Sequence, residues 1–295
     1  MHLWYLAKKN KLSMIDNKKI VFNITFHWQI EQLKFHLDNL FSWKLSEKNE
    51  FVITSAHELN LNTIKEYCYQ NYPNKKVNFC FIEKDMGYHI GTIMNVIESI
   101  KYIDENKEYD YIVNIEADNM FYDENKLKYI IKKMEELEKH MLLIEEGYGK
   151  LPHNNWPFLG IPNYLHITTL NIYSKYFIQN HFPKEYYEDY MNFGWCGNPG
   201  TPFEAYLAVS FIKKHNLYSD DVQMDYWNKY GLRLDYDRSK IVFDGWYKPD
   251  DMTPDKFMRW GIINCPATAG RAISGWEIAK QFIELHKPLM YDPEW

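Results

Sequence analysis

Read from its amino end, the chain alternates short runs of β-branched and aromatic residues with longer segments whose apolar positions recur every three or four residues. Lys19 to His27, rich in Val, Ile, Phe and Thr, predicts a first strand. Ile30, Leu33, Leu37, Leu40 and Phe41 then fall at helical spacing, so a helix should pack back on that strand. Phe51 to Thr54 predicts a second strand, a helix over 62–72 should stop before Pro73, and Val77 to Ile82 predicts a third strand. A helix over Thr92 to Ile103 and a fourth strand over Tyr111 to Ile115, apolar except for Asn114, continue the series. Strand and helix alternate in this way through Asn119, which is the pattern of βαβ units and a mainly parallel sheet.

Beyond Asn119, Leu127, Ile130, Ile131, Met134 and Leu137 mark the core face of another helix, with Lys and Glu forming its solvated side. Met141 to Ile144 predicts a strand, whereas Gly147 to Pro162 has no periodicity and reads as a long irregular loop. The stretch from Phe193 to Glu204, dense in Gly and Pro, leads to a helix over Ala205 to His215 whose start is marked by Thr201 and Pro202. Asp220, Asp221 and Asp225 fall in a loop or helix start, and Ile241 to Asp244 reads as a strand running into Gly245-Trp246-Tyr247. Gly261 to Gly270 is a further irregular segment. With no internal repeat, linker or low-complexity tract, the expectation is one α/β domain over residues 1–295.

Composition narrows the function. A net charge of −6 and a pI near 6.0 lack the basic footprint of a general nucleic-acid binder. Aromatic residues make up 17% of the chain, more than packing requires, which suits a surface on which sugars or bases stack as well as core filling. Cys68, Cys80, Cys196 and Cys265 show neither CxxC pairing nor metal-finger spacing and read as reduced thiols. No stretch has signal-peptide character or the ~20 apolar residues of a membrane span, so a cytoplasmic protein is expected.

The densest chemistry lies at the end of the fourth predicted strand. Positions two apart on a strand share a face, so Glu116 and Asp118 should project together with Ala117 turned away. Two carboxylates without a neighbouring His or Cys suit Mg²⁺ or Mn²⁺, an ion that completes its shell with water and substrate phosphate. The bland alternative makes Asp118 or Asp123 the cap of the next helix and leaves Glu116 solvated. Ahead of them, Gly87 and Gly91 flank Tyr88 at a helix entrance, where backbone can approach a phosphate or simply turn tightly. The G-x-G-x-x-G and P-loop patterns are absent, which disfavours an ordinary dinucleotide or ATP site. Thr201-x-x-Glu204 is a capping box, in which Glu204 would bond back to the backbone N–H of Thr201.

The order of these features resembles the nucleotide-diphospho-sugar glycosyltransferases of the GT-A fold. The resemblance rests on a first strand ending in Thr25-Phe26-His27, a second ending in a polar loop, Gly87-Tyr88-His89-Ile90-Gly91 with Asn95 one turn into a helix, and Glu116-Ala117-Asp118. It implies a Rossmann-like sheet with flanking helices, a nucleotide-sugar-binding half over 1–120 and an acceptor-binding half over 121–295. It also implies Mn²⁺ or Mg²⁺ on Asp118 with Glu116, and donor contacts from Thr25, His27, Glu58, Gly87, Tyr88, Gly91, Asn95 and Glu116. The acceptor, a glycan or another hydroxyl compound, would meet Trp156, Trp195 and Trp246, with Glu204 removing its proton if transfer inverts. Tyr247, Trp260 and Trp276 are further candidates to line that pocket, and His286 is a candidate distant metal ligand. This chain has Glu116 where the family more often has Asp, and Ser55-Ala56-His57-Glu58 replaces a common acidic loop. Two rival expectations are a sugar-nucleotide nucleotidylyltransferase, disfavoured because Thr25 to Ile30 has neither Gly nor Lys, and a carbohydrate-binding protein without turnover.

Overall fold

Seven strands form one sheet in the order β3-β2-β1-β4-β7-β6-β8, where β1 is Ile20–Thr25, β2 Glu50–Ser55, β3 Val77–Phe81, β4 Tyr111–Glu116, β6 Met141–Glu146, β7 Leu170–Ser174 and β8 Gly231–Tyr236. The structure is a computed structural model and describes residues 15–27, 29–83, 88–117, 119–121, 123–146, 170–184, 210–211, 213–217, 219–236 and 262–264. Of the seven strands, only β7 runs against its neighbours, pairing antiparallel with both β4 and β6. A separate ribbon pairs β5, Asn119–Phe121, with β9, Ile262–Asn264.

The helices bounded among the described residues are α1 (Ile30–Phe41), α2 (Glu58–Asn71), α3 (Tyr88–Asn106), α4 (Glu124–Glu136), α5 (Lys175–Asn180) and α6 (Asp220–Tyr230), and residues 210–211 and 213–215 are helical as well. Strand alternation sorts them into two layers. Phe22, Ile24, Phe51, Ile53, Val113 and Ile115 face one side and pack against Leu33, Leu37 and Leu40 of α1, Leu61 and Ile64 of α2, and Leu127, Ile130, Ile131 and Met134 of α4. Val21, Val52, Ile112 and Tyr173 face the other and pack against Val96, Ile97 and Ile100 of α3, Phe177 of α5 and Trp227 of α6. The expected α/β class, a mostly parallel sheet flanked by helices, is what the chain forms.

The layering follows from connectivity. Chain order carries β1 to β2 to β3 in one direction across the sheet, and right-handed crossovers put α1 and α2 on one face. After β3 the chain returns past β1 to build β4, so α3 crosses on the opposite face. Strand order therefore reverses between β1 and β4, which opens a crevice at their carboxyl ends.

Several boundaries differ from the sequence expectation. α2 begins at Glu58 instead of Asn62, because the polar Glu58-Leu59-Asn60 turn adds an exposed first turn ahead of the apolar Leu61 and Ile64. α3 begins at Tyr88, so Gly91 lies inside its first turn and is no part of a turn before it. Asp220, Asp221 and Asp225 belong to a regular helix capped by Ser219, whose hydroxyl accepts from the Val222 N–H. β5, β7, β8 and α5 have no counterpart in the expected elements, and β9 puts a short strand inside the segment Gly261 to Gly270, expected to be irregular. The expected loop over 147–162, the segment 193–204 and the strand over 241–244 lie outside the described residues.

Candidate active site

At the crevice, register places Thr25 beside Thr54 on one side and beside Glu116 on the other. Glu116 ends β4 on the face that carries Asn114, half-buried, while Ala117 is fully buried in the opposite core with Ile115. The alternation read from the sequence thus holds to the end of the strand. The backbone just beyond is pinned: the Ala117 N–H donates to the Thr25 carbonyl at 2.9 Å, and Asn39 Nδ2 of α1 donates to the Phe121 carbonyl of β5 at 2.8 Å. Asp118, between these two anchors in sequence, lies outside the described residues.

The capping role that competed for the acids falls to Asp123. Its carboxylate accepts from the Asn125 N–H at 2.8 Å and the Lys126 N–H at 3.4 Å at the start of α4. Burial pushes that carboxyl above its ordinary range, and the same two N–H groups work against the rise. Under β5, the fully buried His36 of α1 is kept neutral, desolvation driving its pKa down to about 3.

The ends of β1 and β2 are brought together by side chains the sequence named only in part. His27 meets His57 edge to face with ring centroids 5.7 Å apart, and Asn60 Nδ2 of α2 donates to the His27 carbonyl at 2.6 Å. Gln29 Oε1 accepts from the His27 N–H at 3.0 Å, closing the turn after β1. Glu58 stands exposed in the first turn of α2, where its charge complements the helix amino end. His57 is the residue that sequence reasoning passed over; its signal was its place immediately before that helix, level with the end of β1.

Thr25 and Asn95 are both buried, each 1% exposed, so they form the floor of the crevice instead of its solvent-facing wall. The backbone of Tyr88 to Gly91 forms the first turn of α3, whose N–H groups are not consumed by the helix itself. Gly87, Trp156, Trp195, Glu204, Trp246 and His286 lie outside the described residues. Among the described residues no group of three His, Cys, Asp or Glu is placed to hold a metal ion, and no helix is long and apolar enough to cross a membrane.

No family model matches the chain, and no curated protein matches it. Solved structures match part of it. PcManGT, a mannosyltransferase from Pyrobaculum calidifontis in complex with GDP-Man and Mn²⁺, aligns over 57% of this chain and 48% of its own at 11% identity, with a TM-score of 0.41. TarS from S. aureus aligns over 66% of this chain and 55% of its own at 13% identity, TM-score 0.42. Its complex with UDP-GlcNAc aligns over 55% of this chain and 47% of its own at 14% identity, TM-score 0.39. The chain spans about half the length of each of them.

Proposed function

We propose that the chain is a GT-A type glycosyltransferase that moves a sugar from a nucleotide-diphosphate donor to a hydroxyl group of an acceptor, a glycan in the first instance. The observation that carries this reading is the reversal of strand order between β1 and β4, which sets Glu116 at the crevice beside the ends of β1 and β2 and on the face crossed by α3. In open α/β sheets this is where a ligand binds. The donor's base would meet His27, His57 and Glu58, its diphosphate the amino end of α3, with Thr25 and Asn95 supporting from below.

A divalent ion fits the donor set at the end of β4. Glu116 offers hard oxygen at the crevice, and Asp118 follows two residues later, a pairing suited to Mn²⁺ or Mg²⁺ and not to a soft metal. When bound, such an ion supplies charge neutralisation on the departing diphosphate. Asp118 would hold it, and Glu116 would assist through water or reach the ribose. Trp156, Trp195 and Trp246 are assigned to the acceptor and Glu204 to the removal of its proton. On this reading residues 1–120 bind the donor and 121–295 the acceptor.

The deciding experiment is a thermal-shift titration of the full chain with sugar nucleotides, GDP-Man and UDP-GlcNAc among them, with and without Mn²⁺. A donor at ~100 times its dissociation constant stabilises the native state by roughly 2.7 kcal/mol. A metal-dependent rise in Tm with one donor class is expected. Absence of any rise across the donor panel, with or without Mn²⁺, overturns the proposal.

A further inference from the structure

The face of the sheet beneath α3 changes from apolar to polar as it approaches the carboxyl edge. Val21, Ile112 and Tyr173 make an apolar row near the amino end. One step on, register aligns Asn23, Asn114 and Asn171 across three strands. The next step aligns Thr54, Thr25 and Glu116. Asparagine and threonine in the middle of a sheet, covered by a helix, have to find partners within the protein or in trapped water.

The second row does so in part. Asn23 Nδ2 donates to Asn114 Oδ1 at 2.7 Å and to Ser99 Oγ of α3 at 2.8 Å, and the Ser99 hydroxyl donates to the Val96 carbonyl at 3.0 Å. Ser99 therefore stands over Asn23. α3 runs against β1, and Asn95 lies one turn closer to its amino end on the same helix face, about 6 Å along the axis. Two residues of strand also advance about 6.6 Å, from Asn23 to Thr25. Asn95 consequently stands over the Thr25 and Thr54 pair.

Toward the carboxyl edge these side chains find no such partners among the described residues. Both amide atoms of Asn95, the hydroxyls of Thr25 and Thr54, and Oδ1 of Asn23 are buried without a hydrogen-bond partner among the described residues. The set contains donors and acceptors together, which is what a water molecule making about three hydrogen bonds requires. An apolar occupant would leave all of them unmatched. We infer that Asn95, Thr25, Thr54 and Asn23 form a buried hydration site, in which ordered water ties the first turns of α3 to the ends of β1 and β2.

Thr25→Val and Thr54→Val, alone and together, test this, because valine keeps the shape and removes the hydroxyl. In a dry pocket each substitution deletes an unpartnered buried group, and Tm stays level or rises. In a hydrated one each strips the water of a partner, and Tm should fall by about 2–4 °C for each hydroxyl. In parallel, water-to-amide NOEs to the Asn95 side chain of the wild-type protein should be present and should weaken in the double variant. A level or raised Tm overturns the inference. So does a fall in Tm without a water NOE at Asn95 in the wild type, since altered strand packing would then be the cause.

Discussion

Single carboxylates in this chain divide by position, and each division can be measured. Asp123 is spent on two backbone N–H groups of α4. Asp123→Ala should therefore lower stability by about 1 kcal/mol, as loss of an N-cap does, and leave nucleotide affinity unchanged. Urea unfolding beside a binding titration checks both halves of that statement. Asp118 has the opposite assignment. Asp118→Asn should abolish Mn²⁺-dependent donor binding with little change in Tm, and calorimetry showing equal donor affinity in wild type and variant in the presence of Mn²⁺ would remove the ion from that residue. For Glu204, Gln keeps a capping box but cannot accept a proton. Transfer by Glu204→Gln should fall ~10²- to 10⁴-fold with donor binding intact, and undiminished transfer would return the residue to the helix cap.

At the level of elements, the packing of α5 and α6 against β6 and β7 creates an acid-sensitive joint. His181, after α5, lies with its ring centroid 4.2 Å from Tyr230 and 5.3 Å from His215, whose Nε2 is 2.7 Å from the His181 carbonyl oxygen. His140 joins from just before β6, its ring tilted against that of Tyr176 with centroids 4.6 Å apart. Desolvation, with lesser contributions from His215, Lys214, His140 and Lys229, brings the His181 pKa from 6.5 down to about 4. Burial also lowers His140, where Glu138 works in the opposite direction, and His215. Folding holds these imidazoles neutral, so the unfolded chain takes up protons first as pH falls. Their contribution to stability is complete above about 6.5 and is lost as the pH falls from there toward about 4. Tm measured across that window should decline, and His181→Phe, which keeps a ring among Tyr226, Tyr230 and His215, should flatten the decline. An unchanged slope would assign the acid sensitivity elsewhere.

Across the whole molecule, the sheet crosses the boundary between the two proposed halves. β4 of the first half pairs with β7 of the second, and α4 covers the core under β1 and β4. Residues 1–120 expressed alone should leave β4 as an open edge and fail to unfold cooperatively, whereas the full chain should show one transition in denaturant. Two separable transitions would mean two folding units. The same continuity explains what could be read from the sequence. β1 to β4 and α1 to α4 announce themselves because each helix or strand is long enough to show one period, and because the end of β4 places acids directly after an apolar run. β7 is different: Leu170-Asn-Ile-Tyr-Ser174 is short, and Asn171, a polar residue buried at mid-sheet, interrupts the apolar run that marks a strand covered on both faces. β8 starts at Gly231 directly after the last residue of α6, so no turn residues separate a helical period from a strand one. The candidate site was read from chemistry at strand ends; that Thr25 and Asn95 lie buried beneath that edge required the third dimension.

The reversed direction of β7 also decides where chain can be added. β6 runs with β4 and so finishes at the same edge as Glu116; β7, running the other way, starts from that edge. Glu146 and Leu170, the last residue of β6 and the first of β7, therefore both lie toward the edge at which β4 ends in Glu116. Chain inserted between those two strand ends would leave and re-enter the sheet at that one edge, so residues can be added there while β4, β7 and β6 keep their neighbours and their register.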